Sequence, residues 1–158
     1  MADVHDRETR SRNMAAIRGR DTKPELVLRR DLHALGFRYR LHSKHLPGRP
    51  DMVFPKLQAV LFVNGCFWHG HSCDLFRWPK TREAFWRDKI GANIARDQRA
   101  IAALQETGWR TGVVWECAIK GRGRLEPATM IAAVANWLRS GESVLDLGGH
   151  SAATGQGD

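Results

Sequence analysis

Apolar residues recur at helical spacing near the start of the chain, where Leu28, Leu32 and Leu35 lie four and three apart. Thr22 and Glu25 have the spacing of a capping box. Pro24 falls in the first turn, where its missing N–H costs nothing, and Gly36 predicts the helix stop. Residues 37–41 read as a short strand and residues 42–50 as a turn-rich loop. Two apolar runs, 51–54 and 58–63, flank Pro55 and Lys56 and predict a β-hairpin. The segment 64–74 has no periodicity. Thr81 then predicts the cap of a long helix to about residue 107, with Gly91 as a tolerated weak point. Trp109, Thr111, Val113 and Trp115 alternate with Arg110, Gly112 and Val114 as a strand does, and a last helix is expected over about 127–139, before Gly141. A helix joining the hairpin to the 109–115 strand implies a right-handed crossover, hence an α/β fold with a mixed sheet under helical cover.

The chain has 158 residues, enough for one domain with its own core, and 42% of them are apolar, which excludes wholesale disorder. The domain is expected over 21–140. Residues 1–20 are arginine-studded, with Met14, Ala15, Ala16 and Ile17 as their apolar cluster, and read as a basic arm that orders against a partner. Residues 141–158, acidic and then Gly, Ser and Ala rich, read as a flexible tail. The longest apolar stretch, around 59–63, is far short of the roughly 20 residues a membrane span needs. The first 30 residues mix arginines with acids and hold no apolar block, so no secretory signal and a cytoplasmic location are expected. The net charge is +8, and residues 1–49 carry 12 basic against 6 acidic side chains, so the positive field is weighted toward the first third. Such a surface suits nucleic acid, because Lys and Arg displace counterions from phosphates.

Cys66, His69, His71 and Cys73 fall within eight residues, and Cys117 follows the 109–115 strand. Three cysteines are a poor start for a disulfide scaffold. Three thiolates and one imidazole complete a closed tetrahedral zinc site, leaving one histidine over beside it. The spacing does not choose between His69 and His71. Because a closed site has no open position, this zinc would be structural and the chemistry would belong to the spare histidine.

Carboxylates also stand where apolar residues are expected. Ile90, Ile94, Ile101 and Leu104 form a stripe whose missing member is Asp97. An acid there must be paired, metal-facing or displaced to the rim, and a flanking arginine is the plain partner. Asp51 opens a strand directly after Pro50, and Glu25 already has a capping role. Carboxylates that hold a hard cation, together with an imidazole that moves a proton near neutral pH, are the usual equipment for phosphodiester hydrolysis. Pro50-Asp51 after a helical glutamate resembles the restriction-type nuclease core. The Glu/Asp-x-Lys which most of that superfamily carries on the next strand is missing from Val60-Leu61-Phe62-Val63.

Met14-Ala15-Ala16-Ile17, Leu46-Pro47-Gly48-Arg49-Pro50-Asp51, Gly65-Cys66-Phe67-Trp68-His69 and Val114-Trp115-Glu116-Cys117 occur in that order. Over residues 3–140 the chain resembles the bacterial very short patch repair DNA mismatch endonucleases. The resemblance implies a restriction-endonuclease-like fold, a requirement for magnesium, a structural zinc, and nicking of duplex DNA on the 5′ side of the thymine in a T:G mismatch. It makes Asp51 and the backbone carbonyl of Val63 the magnesium ligands, Glu25 the holder of water around the ion, His69 the proton-transferring group and Asp97 part of the same network. Zinc goes to Cys66, His71, Cys73 and Cys117. Family members commonly have a second histidine where this chain has Asn64, and asparagine cannot take a proton near pH 7. Val63 stands where the family pattern has threonine, a milder change for a backbone role.

Phe67 and Trp68 sit in a braced loop, a poor address for core residues and a good one for a wedge. Unstacking a base step costs least at a mismatch, and an aromatic plane recovers roughly 1–3 kcal/mol per stacked base. The family places Trp86 with the wedge, whereas the pattern alone equally packs it with Phe85. Lys89 and Asn93, one and two turns on, are expected to donate to base edges, and Met14 to enter the opposite groove. Trp78, Trp109, Trp115 and Trp137 are expected to be structural. The implied partners are mismatched duplex DNA and mismatch-repair proteins, with the enzyme a monomer. The competing readings are a zinc-braced mismatch binder that does not cut, a nuclease of different mismatch preference, and a structural zinc protein whose basic face is incidental.

Overall fold

Helix α1 (Lys23–Ala34) opens a computed structural model that describes residues 23–150. The basic arm with Met14, and the Thr22 cap, lie outside the described residues, as do residues 151–158. Leu28 and Leu32 are fully buried, as their spacing predicts, but Leu35 is 48% exposed. The chain leaves the helix before it: Gly36 takes a φ of 99°, its N–H donates to the His33 carbonyl, and the Phe37 N–H donates to that of Leu32. This Schellman turn swings Phe37 inward to take the place expected of Leu35.

The strands are β1 (Arg40–Leu41), β2 (Met52–Phe54), β3 (Ala59–Asn64), β4 (Arg110–Trp115) and β5 (Val144–Leu147). They form one sheet in the order β1-β2-β3-β4-β5. The β2–β3 hairpin turns through a short 3-10 segment, Pro55–Leu57, and pairs Val53 with Val60. β1 and β2 are antiparallel, whereas β3–β4 and β4–β5 are parallel. Helix α2 (Glu83–Glu106) makes the expected crossover from β3 to β4, and helix α3 (Pro127–Arg139) joins β4 to β5. No helix among the described residues is long and apolar enough to cross a membrane.

Period-two alternation sorts the core into two layers. Met52, Phe54, Leu61, Val63 and Val114 pack with Leu28 and Leu32 of α1 and with Met130, Val134 and Leu138 of α3. Val53, Val60, Phe62 and Val113 pack on the other face against Leu104 and Ile101 of α2. Trp137 is buried in the first layer, and Trp109 is partly buried against the second.

Two expectations are corrected. Arg82, in a left-handed conformation with φ 56°, precedes α2 without a side-chain cap, so Thr81 does not start that helix. The tail expected over 141–158 is ordered structure as far as its described part extends: Val144–Leu147 adds the fifth strand, Thr111 paired with Val144 and Val114 with Leu147. The strand is short and only half covered, with a burial pattern of exposed and partly buried residues. That alternation spans only four residues, too little to stand out beside the glycines that follow.

Topology fixes where chemistry can occur. The carboxyl ends of β3, β4 and β5 point one way, and antiparallel β2 begins at that same edge. Asp51, just before β2, therefore neighbours the end of β3, and the loops after β3 and β4 leave from beside it.

Candidate active site and metal centre

The loop after β3 is held at both ends. The Cys66 N–H donates to Glu116 Oε1 at 3.2 Å, tying the loop to the end of β4, and the His71 N–H donates to the Cys66 carbonyl at 2.9 Å. A β-carbon on Gly70 would meet Ile94 Cδ1 at 2.6 Å, so only glycine lets the loop backbone lie this close to α2. Beyond the strand ends, Cys66, His71, Cys73 and Cys117 bring one ligand atom each to within 4.8 Å of one another. His71 presents Nδ1, at 3.6 Å from Cys66 Sγ and 3.5 Å from Cys117 Sγ. Trp115 stacks on the face of that imidazole, 4.0 Å between centroids at 8°. Its indole N–H donates to Asp146 of β5 at 2.7 Å. The residues after β5 close the cluster: the Gly149 N–H donates to Cys117 Sγ at 3.2 Å, and Gly148 lies beside the His71 ring.

Burial pushes the Cys66 and Cys117 thiols up and the His71 imidazole down. All three changes favour neutral groups, which a cation would reverse for the thiols. Three sulfurs and one nitrogen converging on a common centre fit a closed tetrahedral zinc site. Geometry, where the spacing left two choices, brings His71 rather than His69 to the sulfurs.

His69 turns instead to Asp97. Its Nδ1–H donates to Asp97 Oδ2 at 2.5 Å, so the stripe-breaking acid of α2 has an imidazole, not an arginine, as its partner. That bond fixes the tautomer and leaves the Nε2 lone pair to act as a base. Asn64, His69, Asp97 and Trp115 share the wall of a cavity of about 350 Å3 between α2 and strands β4 and β5.

The carboxylates gather on the other side of residue 64. Asp51 Oδ2 accepts the Val63 N–H at 2.7 Å, clamping the start of β2 to the end of β3. Glu25 is fully buried and accepts from Arg29 Nη2 at 2.5 Å, and His42 Nε2 lies 3.0 Å from the same carboxylate oxygen and 3.0 Å from that Nη2. Glu25, His42 and Asp51 form a second group whose ligand atoms all lie within 4.8 Å of one another. Val63 and Asn64 thus link the two halves: Val63 holds Asp51, and Asn64 lines the cavity of His69 and Asp97. Two carboxylates brought this close fit a hard divalent cation.

Phe67, Trp68 and Trp86 meet edge to face, with centroids 5.2 to 5.8 Å apart. Trp86 also touches Phe85, at 5.1 Å, but Phe85 is exposed, so the pair is no core contact. The patch is wider than expected: Phe76 stacks on Phe67 at 5.7 Å and meets Trp78, over which the Arg87 guanidinium lies at 4.2 Å. Lys89 is exposed on the same helix. Asn93 differs from the expectation of a side chain given over to base edges. It is buried and donates Nδ2 to the Trp68 carbonyl at 2.9 Å, holding the Phe67–Trp68 loop on α2.

The Vsr family model, described as DNA mismatch endonuclease Vsr, matches residues 2–75. The DNA mismatch endonuclease Vsr of Escherichia coli (strain K12) is 49% identical over 138 residues, covering 87% of this chain and 88% of the relative. This chain belongs to the Vsr family of DNA mismatch endonucleases. The type II nicking enzyme V.XorIIP of Xanthomonas oryzae pv. oryzae is 51% identical over 126 residues, 80% of this chain and 93% of that one. The type II nicking enzyme V.NmeAIP of Neisseria meningitidis serogroup A is 41% identical over 122 residues, with 77% and 87% covered. As a Vsr-family member the chain is an endonuclease with DNA as its substrate.

What sequence reasoning missed lies mostly on connecting segments. His42 sits in a loop with no pattern to mark it, and no spacing around Glu116 announces its bond to the Cys66 N–H. The Glu25–Arg29 pair, four apart on α1, was legible as a helical ion pair.

Proposed function

We propose that this Vsr-family endonuclease nicks duplex DNA on the 5′ side of the thymine in a T:G mismatch, in a magnesium-dependent reaction that starts very short patch repair. The observation that carries this reading is a single short loop bearing both the Phe67–Trp68 wedge and the Asp97-held His69. The pairing of mismatch-endonuclease and nicking-enzyme relatives supports it. A five-stranded mixed sheet with helices on both faces and Asp51 at the head of β2 supports a restriction-endonuclease-type scaffold.

Asp51 and the Val63 carbonyl would hold magnesium, with Glu25 holding water around it. A divalent cation at that place offsets negative charge on the phosphoryl oxygens. Cys66, His71, Cys73 and Cys117 would hold zinc, which braces the loop and takes no part in the reaction. The protein's own groups do the rest. The wedge of Phe67, Trp68 and Trp86 unstacks the mismatched step, whose weak pairing makes it the cheapest place to open. Asn93 keeps that loop seated on α2. Asp97 orients His69 so that Nε2 receives or returns a proton beside the scissile phosphate. Asn64 orients a water or phosphate oxygen but moves no proton. Lys89 and the basic arm with Met14 hold the duplex electrostatically. The enzyme acts as a cytoplasmic monomer, and other mismatch-repair proteins act on the nick it leaves, a 5′-phosphate and a 3′-hydroxyl.

A nicking assay on end-labelled duplexes that differ only in T:G versus T:A, with and without magnesium, tests this. The expected result is a single nick, 5′ to the thymine, in the T:G duplex with magnesium present. Tight T:G binding without a nick at any magnesium concentration identifies a binding module. Equal cutting of T:A removes the mismatch from the reading.

A further inference from the structure

His42 stands between the two carboxylates, and its two ring nitrogens have different neighbours. Nε2 lies 3.0 Å from Glu25 Oε2, a hydrogen-bond distance. Nδ1 lies 3.8 Å from Asp51 Oδ1, beyond a hydrogen bond. Two donors that each approach one ion to about 2.1 Å can stand as much as ~4.2 Å apart, so the second spacing suits two ligands of a shared cation. The first suits the other half of that arrangement. A metal-bound histidine characteristically donates its remaining ring N–H to a carboxylate, which fixes ring and tautomer. Arg29 Nη2 is 3.0 Å from the same Nε2 and 2.5 Å from Glu25 Oε2. A guanidinium has only donors, so Arg29 donates to Glu25 Oε2 and balances its charge, and in the tautomer protonated at Nε2 both N–H groups converge on that one buried oxygen. The backbone is committed as well: His42 adopts a left-handed φ of 48°, rare for a residue with a β-carbon, and its N–H donates to the Asp51 carbonyl at 3.0 Å. The 42–51 loop is therefore closed at its ends by the two residues that face each other across the site.

We propose that His42 is a direct ligand of the catalytic cation through Nδ1, with Glu25 as the carboxylate that orients it. The ion is then held by a mixed nitrogen–oxygen set, and the site favours manganese over magnesium more than an all-oxygen site does. Magnesium prefers oxygen donors and gives up water reluctantly, whereas manganese accepts imidazole alongside carboxylate and stands above magnesium in affinity for such sites. This rests on the reading of Asp51 as a metal-holding residue, and the test separates the two.

Manganese binding to the zinc-loaded full chain, alone and bound to duplex DNA, is measured by the electron paramagnetic resonance of free Mn2+. Wild type is compared with His42→Gln and Asp51→Asn. Pulsed resonance on the wild-type complex reads nitrogen coupled directly to Mn2+, a signal that does not depend on any variant folding. The expected result is nitrogen coupling in wild type that His42→Gln abolishes, with Mn2+ affinity lowered about tenfold or more. Magnesium affinity, read by competition, should fall less than manganese affinity in the same variant, because the substituted amide offers an oxygen that magnesium accepts in place of the ring nitrogen. Wild-type Mn2+ without coupled nitrogen, or His42→Gln with unchanged coupling or affinity, overturns the assignment of His42. Should Asp51→Asn lose Mn2+ while His42→Gln keeps it, only His42 is excluded. Unchanged binding in Asp51→Asn, or no Mn2+ binding by wild type in either state, overturns the reading of Asp51 as well.

Discussion

Asp51 is fixed from two directions, its Oδ2 by the Val63 N–H and its backbone carbonyl by the His42 N–H. Removing the carboxylate leaves the fold its other contacts but takes away the charge that would hold a cation. Asp51→Ala should therefore lower nicking about a thousandfold or more, the equivalent of ~4 kcal/mol of transition-state stabilisation, with zinc content unchanged. Nicking at the wild-type rate would exclude Asp51 as an essential ligand. Asp97 would act through the imidazole it holds, that of His69. Asp97→Asn can present an N–H to His69 Nδ1 and so select the wrong tautomer. Turnover should fall about a hundredfold, the lower range for a positioned acid or base, with KM for the duplex unchanged. A rise in KM alone would make Asp97 a support of the loop rather than of the imidazole. Asp97 was legible as an anomaly, because an acid broke an apolar stripe, but its partner was not. Sequence neighbours offered arginines, and only folding brings a loop 28 residues away onto that face of α2.

Elements explain how Phe67 and Trp68, the proposed wedge, are presented. The loop after β3 is irregular along its length, yet the Cys66 N–H, the His71 N–H and the Asn93 amide all anchor it. Rings presented on such a mount lose little freedom when they meet a base stack. Trp68→Ala should cost about 1–3 kcal/mol of discrimination, a loss of roughly 5- to 150-fold in preference for a mismatched over a paired duplex. A binding ratio equal to that of wild type in competition would remove Trp68 from the wedge. The regular elements were readable because their periods are strong: α1, the hairpin, β4 and α3 follow the apolar spacing within a residue or two. The aromatic patch was only half readable. Phe67 and Trp68 are adjacent in the chain, whereas Phe76 and Trp78 join them through a turn that no spacing announces.

Across the whole molecule, the candidate metal centre draws on the ends of three parallel strands, with Cys66 after β3, Cys117 after β4 and Gly149 after β5. Its pH response follows from burial. Cys66 and Cys117 have raised pKa values and are neutral near pH 7 without a cation, so metal binding must expel their protons, and acid returns them. Zinc retained per chain against a chelator should fall as the pH is lowered from about 8 to about 5. Retention that is flat over that range would show that the thiols are not ligands. In the metal-free chain the sign reverses. The folded thiols keep protons that the unfolded chain sheds from about pH 8.5, so apo stability should decline on the alkaline side of that value. The Cys3His set was legible as a count, but its lid was not, since glycine-rich sequence reads as a tail until a strand delivers it. Synthesis order follows from that lid. A chain that ends before residue 144 would display β4 as a bare sheet edge and leave the Cys117 sulfur without its Gly149 N–H donor, so the cysteine cluster is closed only by a segment synthesised after all of its cysteines.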